Sequence, residues 1–134
     1  MIDLKISRLP PPNYEEIKKH FKLSPHTVFT YGDTIHNPGG GPISDHLKHH
    51  ESVHSVQQAE MGGPEVWWAK YLIDPEWRLQ QEIEAYREQF KMVSEAANRA
   101  GRRKWLSKIA GDLASPIYGD IISKAEAMRQ IENE

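Results

Sequence analysis

The chain has 134 residues, 38% hydrophobic and 27% charged, which fits one folded unit with a modest core and excludes a disordered or fibrous chain. Its 17 Lys and Arg stand against 19 Asp and Glu, a formal net charge of -2. That balance argues against a general nucleic-acid binder, whose affinity rests on an excess of cations facing phosphates, and the absence of cysteine excludes disulfides and thiolate metal sites.

Ile2, Leu4 and Ile6 alternate with polar residues and predict a short strand or extended arm, which Pro10-Pro11-Pro12 interrupts. Residues 1–12 therefore read as an N-terminal arm and 13–134 as a single domain. Asn13 is placed to cap a short helix with Tyr14, Ile17 and Phe21 on one face, ended by Ser24-Pro25. Thr27 to Tyr31 is β-branched and aromatic and predicts a strand; Gly32-Asp33 is a turn, and Thr34-Ile35 begins a second strand. The run Asn37-Pro38-Gly39-Gly40-Gly41-Pro42 is a loop. Ser44 caps a helix running to about Glu60, which Gly62-Gly63 stops.

Pro64 opens a helix carrying Trp67, Trp68, Tyr71 and Leu72, and Asp74-Pro75 caps a long helix that continues to about Ala100, before Gly101. Arg102 to Leu113 is another helix, in which the short basic run Arg102-Arg103-Lys104 is solvated. Pro116 ends it, and Ser123 to Ile131 forms the last helix. The pattern is mainly α with a small β element, an α+β arrangement. No apolar run has signal-peptide length or could cross a bilayer, so the expectation is a cytoplasmic protein, or part of a particle assembled there, without a membrane partner.

The chemistry lies in His50-Glu51-Ser52-Val53-His54. His50 and His54 fall one turn apart on one helix face, so both imidazoles can reach one ion at about 2.0–2.1 Å. Glu51 stands beside the first of them, where a carboxylate can take a proton from a water that the ion polarises. A third ligand is needed. On the long helix, Leu79, Ile83, Tyr86, Phe90, Val93 and Ala97 mark the buried stripe, with Glu82 at its edge and Glu84 on the opposite side. A carboxylate facing a core needs a partner, and a metal supplies one; an ion pair of Glu82 with Arg78 or Arg87 is the plainer alternative. His46 lies on the same stripe as His50 and competes with Glu82 as third ligand. Gln57 lies over His50, either supporting a ligand or bonding core backbone. Trp67 and Trp68 read as core, and Tyr118 as core or as a donor to a developing oxyanion. His20, His26, His36 and His49 read as surface residues.

The run His50-Glu51-x-x-His54-x-x-Gln57, followed by Glu82-x-Glu84-Ala85-Tyr86, resembles the glutamate-zincin metallopeptidases, in particular small uncharacterised members of bacteria and tailed phages. The likeness spans roughly residues 27–90, and Leu113 to Gly119 is also similar to the phage-type group. It implies zinc bound by His50, His54 and Glu82, with Glu51 activating water. Many members carry an Asp that orients a ligating histidine where this chain has Tyr86. In the family an edge strand runs above the active-site helix, which would place Thr27–Tyr31 to receive an extended peptide by backbone hydrogen bonds, with the Gly-rich loop bordering the cleft.

Two functions follow. One is a zinc hydrolase acting on a peptide or protein. The other is a structural or interaction protein, such as a virion component in a protein assembly, that retains a metal site.

Overall fold

A computed structural model describes residues 4–132. In chain order the elements are β1 (Lys5–Ser7), α1 (Tyr14–His20), β2 (Phe29–Tyr31), β3 (Thr34–His36), α2 (Asp45–Glu60), α3 (Pro64–Ile73), α4 (Pro75–Glu95), α5 (Arg99–Leu113), a 3-10 turn at Pro116–Tyr118 and α6 (Lys124–Glu132). The fold is mainly α with one small sheet, as the sequence predicts. No helix among the described residues is long and apolar enough to cross a membrane.

The sheet has the order β1-β3-β2, with β1 parallel to β3 and β2 antiparallel to it. Lys5–Ser7, from the expected arm, therefore forms one edge; Ile2 lies outside the described residues. The second strand is shorter than the Thr27–Tyr31 run, because Thr27 turns back to bond the Ser24 carbonyl. Gly32 adopts a positive φ of 65° in the β2–β3 turn, a conformation glycine enters without a Cβ clash. That turn is clamped to α2: Gly32 donates to Gln58 Oε1 at 2.7 Å and its carbonyl accepts from Ser55 Oγ at 2.6 Å.

Several helix ends follow the sequence closely. Ser44 Oγ accepts from Leu47 N at the start of α2, and Asp74 accepts from Trp77 N at the start of α4, with Pro75 in the first turn. Gly62 and Gly63, with φ of 95° and 140°, make the bend between α2 and α3. Two ends differ. Asn13 precedes α1 without capping it through its side chain, whose amide atoms are buried without partners. The long helix stops at Glu95, not near Ala100, since Asn98 caps α5 by accepting from Gly101 N at 2.8 Å. Gly101 thus sits in the first turn of α5, and not at a helix end.

Two clusters form the core. Ile83, Tyr86, Leu106, Ile109, Ala110, Leu113, Ala127 and Ile131 join α4, α5 and α6. Ile17, Phe29, Trp67, Trp68 and Tyr71 join α1, β2 and α3. Between them runs α2, whose buried residues are all polar: His50, Glu51, His54, Ser55, Gln57 and Gln58.

Candidate functional site

The polar buried face of α2 sets the site. His50 and His54 project from consecutive turns, and α4 brings Glu82 against both. His50 Nε2 and His54 Nε2 stand 3.2 Å apart; Glu82 Oε1 is 3.2 Å from the first and Oε2 is 3.1 Å from the second. Ligand atoms at about 2.0–2.1 Å from a tetrahedral ion lie about 3.3 Å from one another, and these spacings are of that size, with Glu82 meeting the two rings through different oxygens. Glu82 is 2% exposed and its Oε1 has no hydrogen-bond donor, although His50 faces it.

The partners on the far side of the rings explain why these atoms converge. His54 Nδ1 lies 2.8 Å from Gln57 Oε1, while Gln57 Nε2 donates to the Gln81 carbonyl and to Glu84 Oε1. The amide oxygen can only accept, so Nδ1 carries the proton and Nε2 of the neutral ring offers its lone pair to the site. A lone pair facing a carboxylate requires a cation between them: a proton or a metal ion. With a proton there, burial disfavours the charged ring, yet the Glu82 carboxylate outweighs it and lifts His54 to about 9. Burial likewise favours the neutral form of Glu82, and the two imidazoles overcome it, holding this carboxyl far below its ordinary range. The donor set of two imidazoles and a carboxylate, with no thiolate, suits zinc.

Glu51 is the second carboxylate. Thr30 Oγ1 donates to its Oε1 at 2.9 Å, and its Oε2 lies 3.6 Å from His50 Nε2. His50, Glu51 and His54 also bring ligand atoms within 4.8 Å of one another. Glu82 lies closer to the two imidazoles than Glu51 does: its two oxygens reach both rings, while Glu51 is tied to Thr30 and stands farther out. Burial raises the Glu51 pKa, the imidazoles partly opposing it, which makes this carboxyl a stronger base than an exposed one.

Other expected residues fall elsewhere. His46, the competing candidate, is engaged elsewhere: its Nδ1 bonds Gln89 Nε2 at 2.9 Å and its ring lies against Trp105. Gln57 supports His54 rather than His50. Arg78 donates to the Tyr71 and Tyr118 carbonyls and Arg87 to the Gln130 carbonyl, so neither guanidinium takes the Glu82 oxygens as its hydrogen-bond acceptor. Glu84 is exposed, as expected, but also meets Gln57. The Gly-rich loop does not border the site; Gly39 abuts the Pro25 carbonyl and Gly40 the Arg8 guanidinium. The Thr30 carbonyl accepts from both Gln58 Nε2 and Trp68 Nε1, so strand addition has no free acceptor at this residue. His20, His26, His36 and His49 stay outside the cluster, with His36 bonded to the Leu9 carbonyl.

Two contributors were invisible in the motif: Tyr71 donates to Glu82 Oε2 at 2.6 Å, and Thr30 anchors Glu51. Each lies on a different element from the residue it serves, beyond local spacing rules. Tyr86, on the buried stripe of α4, packs its ring 4.3 Å from the His50 ring. Tyr86 OH also bonds Tyr118 OH at 2.6 Å. Outside the ligands the pocket is walled by α1, the 21–30 segment, α3 and the 3-10 turn, around a cavity of ≈ 60 Å³. Trp67 and Trp68 are core residues as expected, and they also form part of this wall. Compared with known proteins, the chain matches no family, no curated protein and no solved structure.

Proposed function

We propose that the chain is a zinc-dependent hydrolase of amide bonds, a peptidase in kind. One observation carries this reading: two imidazoles and a carboxylate converge at zinc-ligand spacing beside a separate carboxylate, Glu51, that is anchored by Thr30 and raised in pKa. His50, His54 and Glu82 would hold the ion. Zinc in such a site polarises a carbonyl and lowers the pKa of water towards about 7.

The residues of the chain do the rest. Thr30 holds Glu51 Oε1, which leaves Oε2 turned to the site. Glu51 accepts a proton from water as the hydroxide part adds to the carbonyl carbon. It then returns that proton to the departing nitrogen as the C–N bond breaks, so one water is consumed and an acid and an amine are released. Gln57 keeps the His54 proton on Nδ1, and Tyr71 fixes Glu82 against the rings. The aromatic wall limits bulk water around these groups.

The test is Glu51→Gln beside His54→Ala and Glu82→Ala. Zinc should bind one per chain in the wild type and in Glu51→Gln and be lost in the other two. Amide hydrolysis should fall by about 10²-fold or more in Glu51→Gln, the usual contribution of a positioned base. Undiminished turnover in that variant would remove Glu51 from the mechanism.

A second reading rests on burial. His50, Glu51, His54 and Glu82 are each at most 5% exposed, which suits a structural ion in an interaction protein such as a virion component. Under that reading zinc removal unfolds the chain, and small zinc-chelating inhibitors find no open coordination position.

A further inference from the structure

His50, Glu51, His54 and Glu82 are all buried, so nothing of substrate size meets them until part of their cover moves. Two irregular segments take part in that cover: residues 21–28, before β2, and the 3-10 turn Pro116–Tyr118. They are held in different ways. In the first, Phe21 and Leu23 pack against the core cluster of α1, β2 and α3. The Phe21 ring also lies edge-on to Tyr71 and under the Arg78 guanidinium. Ser24 and Thr27 close this segment on itself through their hydroxyls.

The 3-10 turn contains no buried residue. Pro116 is exposed, Ile117 faces the cavity, and Tyr118 packs only in part against the core of α4, α5 and α6. Its backbone bonds are internal: Tyr118 N donates to the Ser115 carbonyl and Gly119 N to the Pro116 carbonyl, so the turn holds its own shape. Two further bonds tie it to α4. Arg78 Nε donates to the Tyr118 carbonyl at 3.2 Å, and the Tyr86 and Tyr118 hydroxyls bond at 2.6 Å. Directly after the turn, Gly119 and Asp120 adopt φ of 93° and 54°. Asp120 is the only non-glycine with positive φ among the described residues. Backbone held in that region is costly, and it gathers at clamps and switch segments.

We propose that the 3-10 turn Pro116–Tyr118 is a lid over the site, hinged at Gly119–Asp120 and latched to α4 by Arg78 and Tyr86. Breaking the two latch bonds swings Ile117 and Tyr118 away from the ligands, while the Phe21 wall stays anchored in the core. The closed lid keeps bulk water from the buried carboxylates, and the open lid admits the ion and the substrate. This rests on the zinc-hydrolase reading and names how access to its site is controlled.

A lid differs from a ligand support in its kinetics, because it changes entry and exit by the same factor and leaves the equilibrium alone. Zinc association and chelator-driven zinc release would be timed by stopped flow in the wild type, Tyr118→Phe, Gly119→Ala and Ser24→Ala, with dissociation constants from chelator competition. Tyr118→Phe removes one latch and keeps the ring. Both rates should rise about three- to tenfold, the equivalent of one hydrogen bond, with the dissociation constant unchanged within about twofold. Gly119→Ala places a Cβ at positive φ, 3.4 Å from Arg78 Nη2, a strain that opening relieves. Both of its rates should rise at least about fivefold. Ser24→Ala loosens the other segment and should leave both rates at the wild-type values. Unchanged rates in Tyr118→Phe and Gly119→Ala, or release that speeds up without association, would overturn the lid while the zinc site stands. Faster exchange in Ser24→Ala alone would also overturn it, placing the opening at residues 21–28. A wild type that takes up no zinc would overturn the zinc-hydrolase reading, and the lid with it.

Discussion

Helices α2 and α5 both pack against α4, and they do so by opposite chemistry. The buried face of α5 is Leu106, Ile109, Ala110 and Leu113, whereas that of α2 is His50, Glu51, His54, Ser55, Gln57 and Gln58. Apolar burial is non-directional and indifferent to pH or metal. A polar interface has value only when every donor meets an acceptor and the charges balance. The α4–α5 side therefore holds the fold together, and the α4–α2 side makes the stability of the site conditional on what occupies it.

Truncation on the apolar side should give the largest effect and the least informative one about function. Leu113 is 0% exposed, and Leu113→Ala should lower unfolding free energy by about 2–5 kcal/mol, through lost transfer energy and a residual cavity. Denaturant melts at pH 6 and pH 9, with and without zinc, should all show the same drop. A drop that depends on zinc would mean the two sides of α4 are coupled, and the contrast between them would fail.

On the polar side, pH replaces mutation. In the zinc-free protein His54 titrates near 9 when folded against an ordinary 6.5, so its stabilisation is complete below about 6.5 and vanishes as pH rises through 9. Glu82 is held low, so its contribution is present above 4.5 and is lost only as acid protonates it. Zinc-free protein should then lose about 3 kcal/mol of stability between pH 6.5 and 9, measured by urea denaturation. Zinc must displace the His54 proton, so its apparent affinity should rise over the same interval. A flat stability profile in that range would show that Glu82 and His54 do not pair.

The same contrast explains what could be read from the chain. The α2 boundaries were legible because Ser44 and Gly62-Gly63 are local signals, and His50, Glu51 and His54 because helical spacing alone sets them on one face. Glu82 was legible as a carboxylate at the edge of an apolar stripe. The α4–α5 break was not: residues 95–101 offer both Asn98 and Gly101 as punctuation, and the competition is settled by packing of α5 on α4 and α6. The contacts that engage His46 come from Gln89 and Trp105, which lie far along the chain. Thr30 and Tyr71 serve Glu51 and Glu82 across different elements, so no periodicity reports them.

The smallest effect tests whether the polar side works as a network. Gln57 touches no substrate in the proposed arrangement; it accepts from His54 Nδ1 and ties itself to the Gln81 carbonyl on α4. Gln57→Ala removes the group that fixes the ring and its tautomer, so zinc affinity should fall by about tenfold, the lower end for lost ligand support. Gln57→Glu keeps an acceptor at Nδ1 and should bind zinc better than the alanine variant. Its added charge also faces Glu84, so the recovery should be partial. Chelator competition measures all three proteins. Equal affinities would reduce Gln57 to a packing residue, and the buried polar face of α2 would then owe its order to the ligands alone.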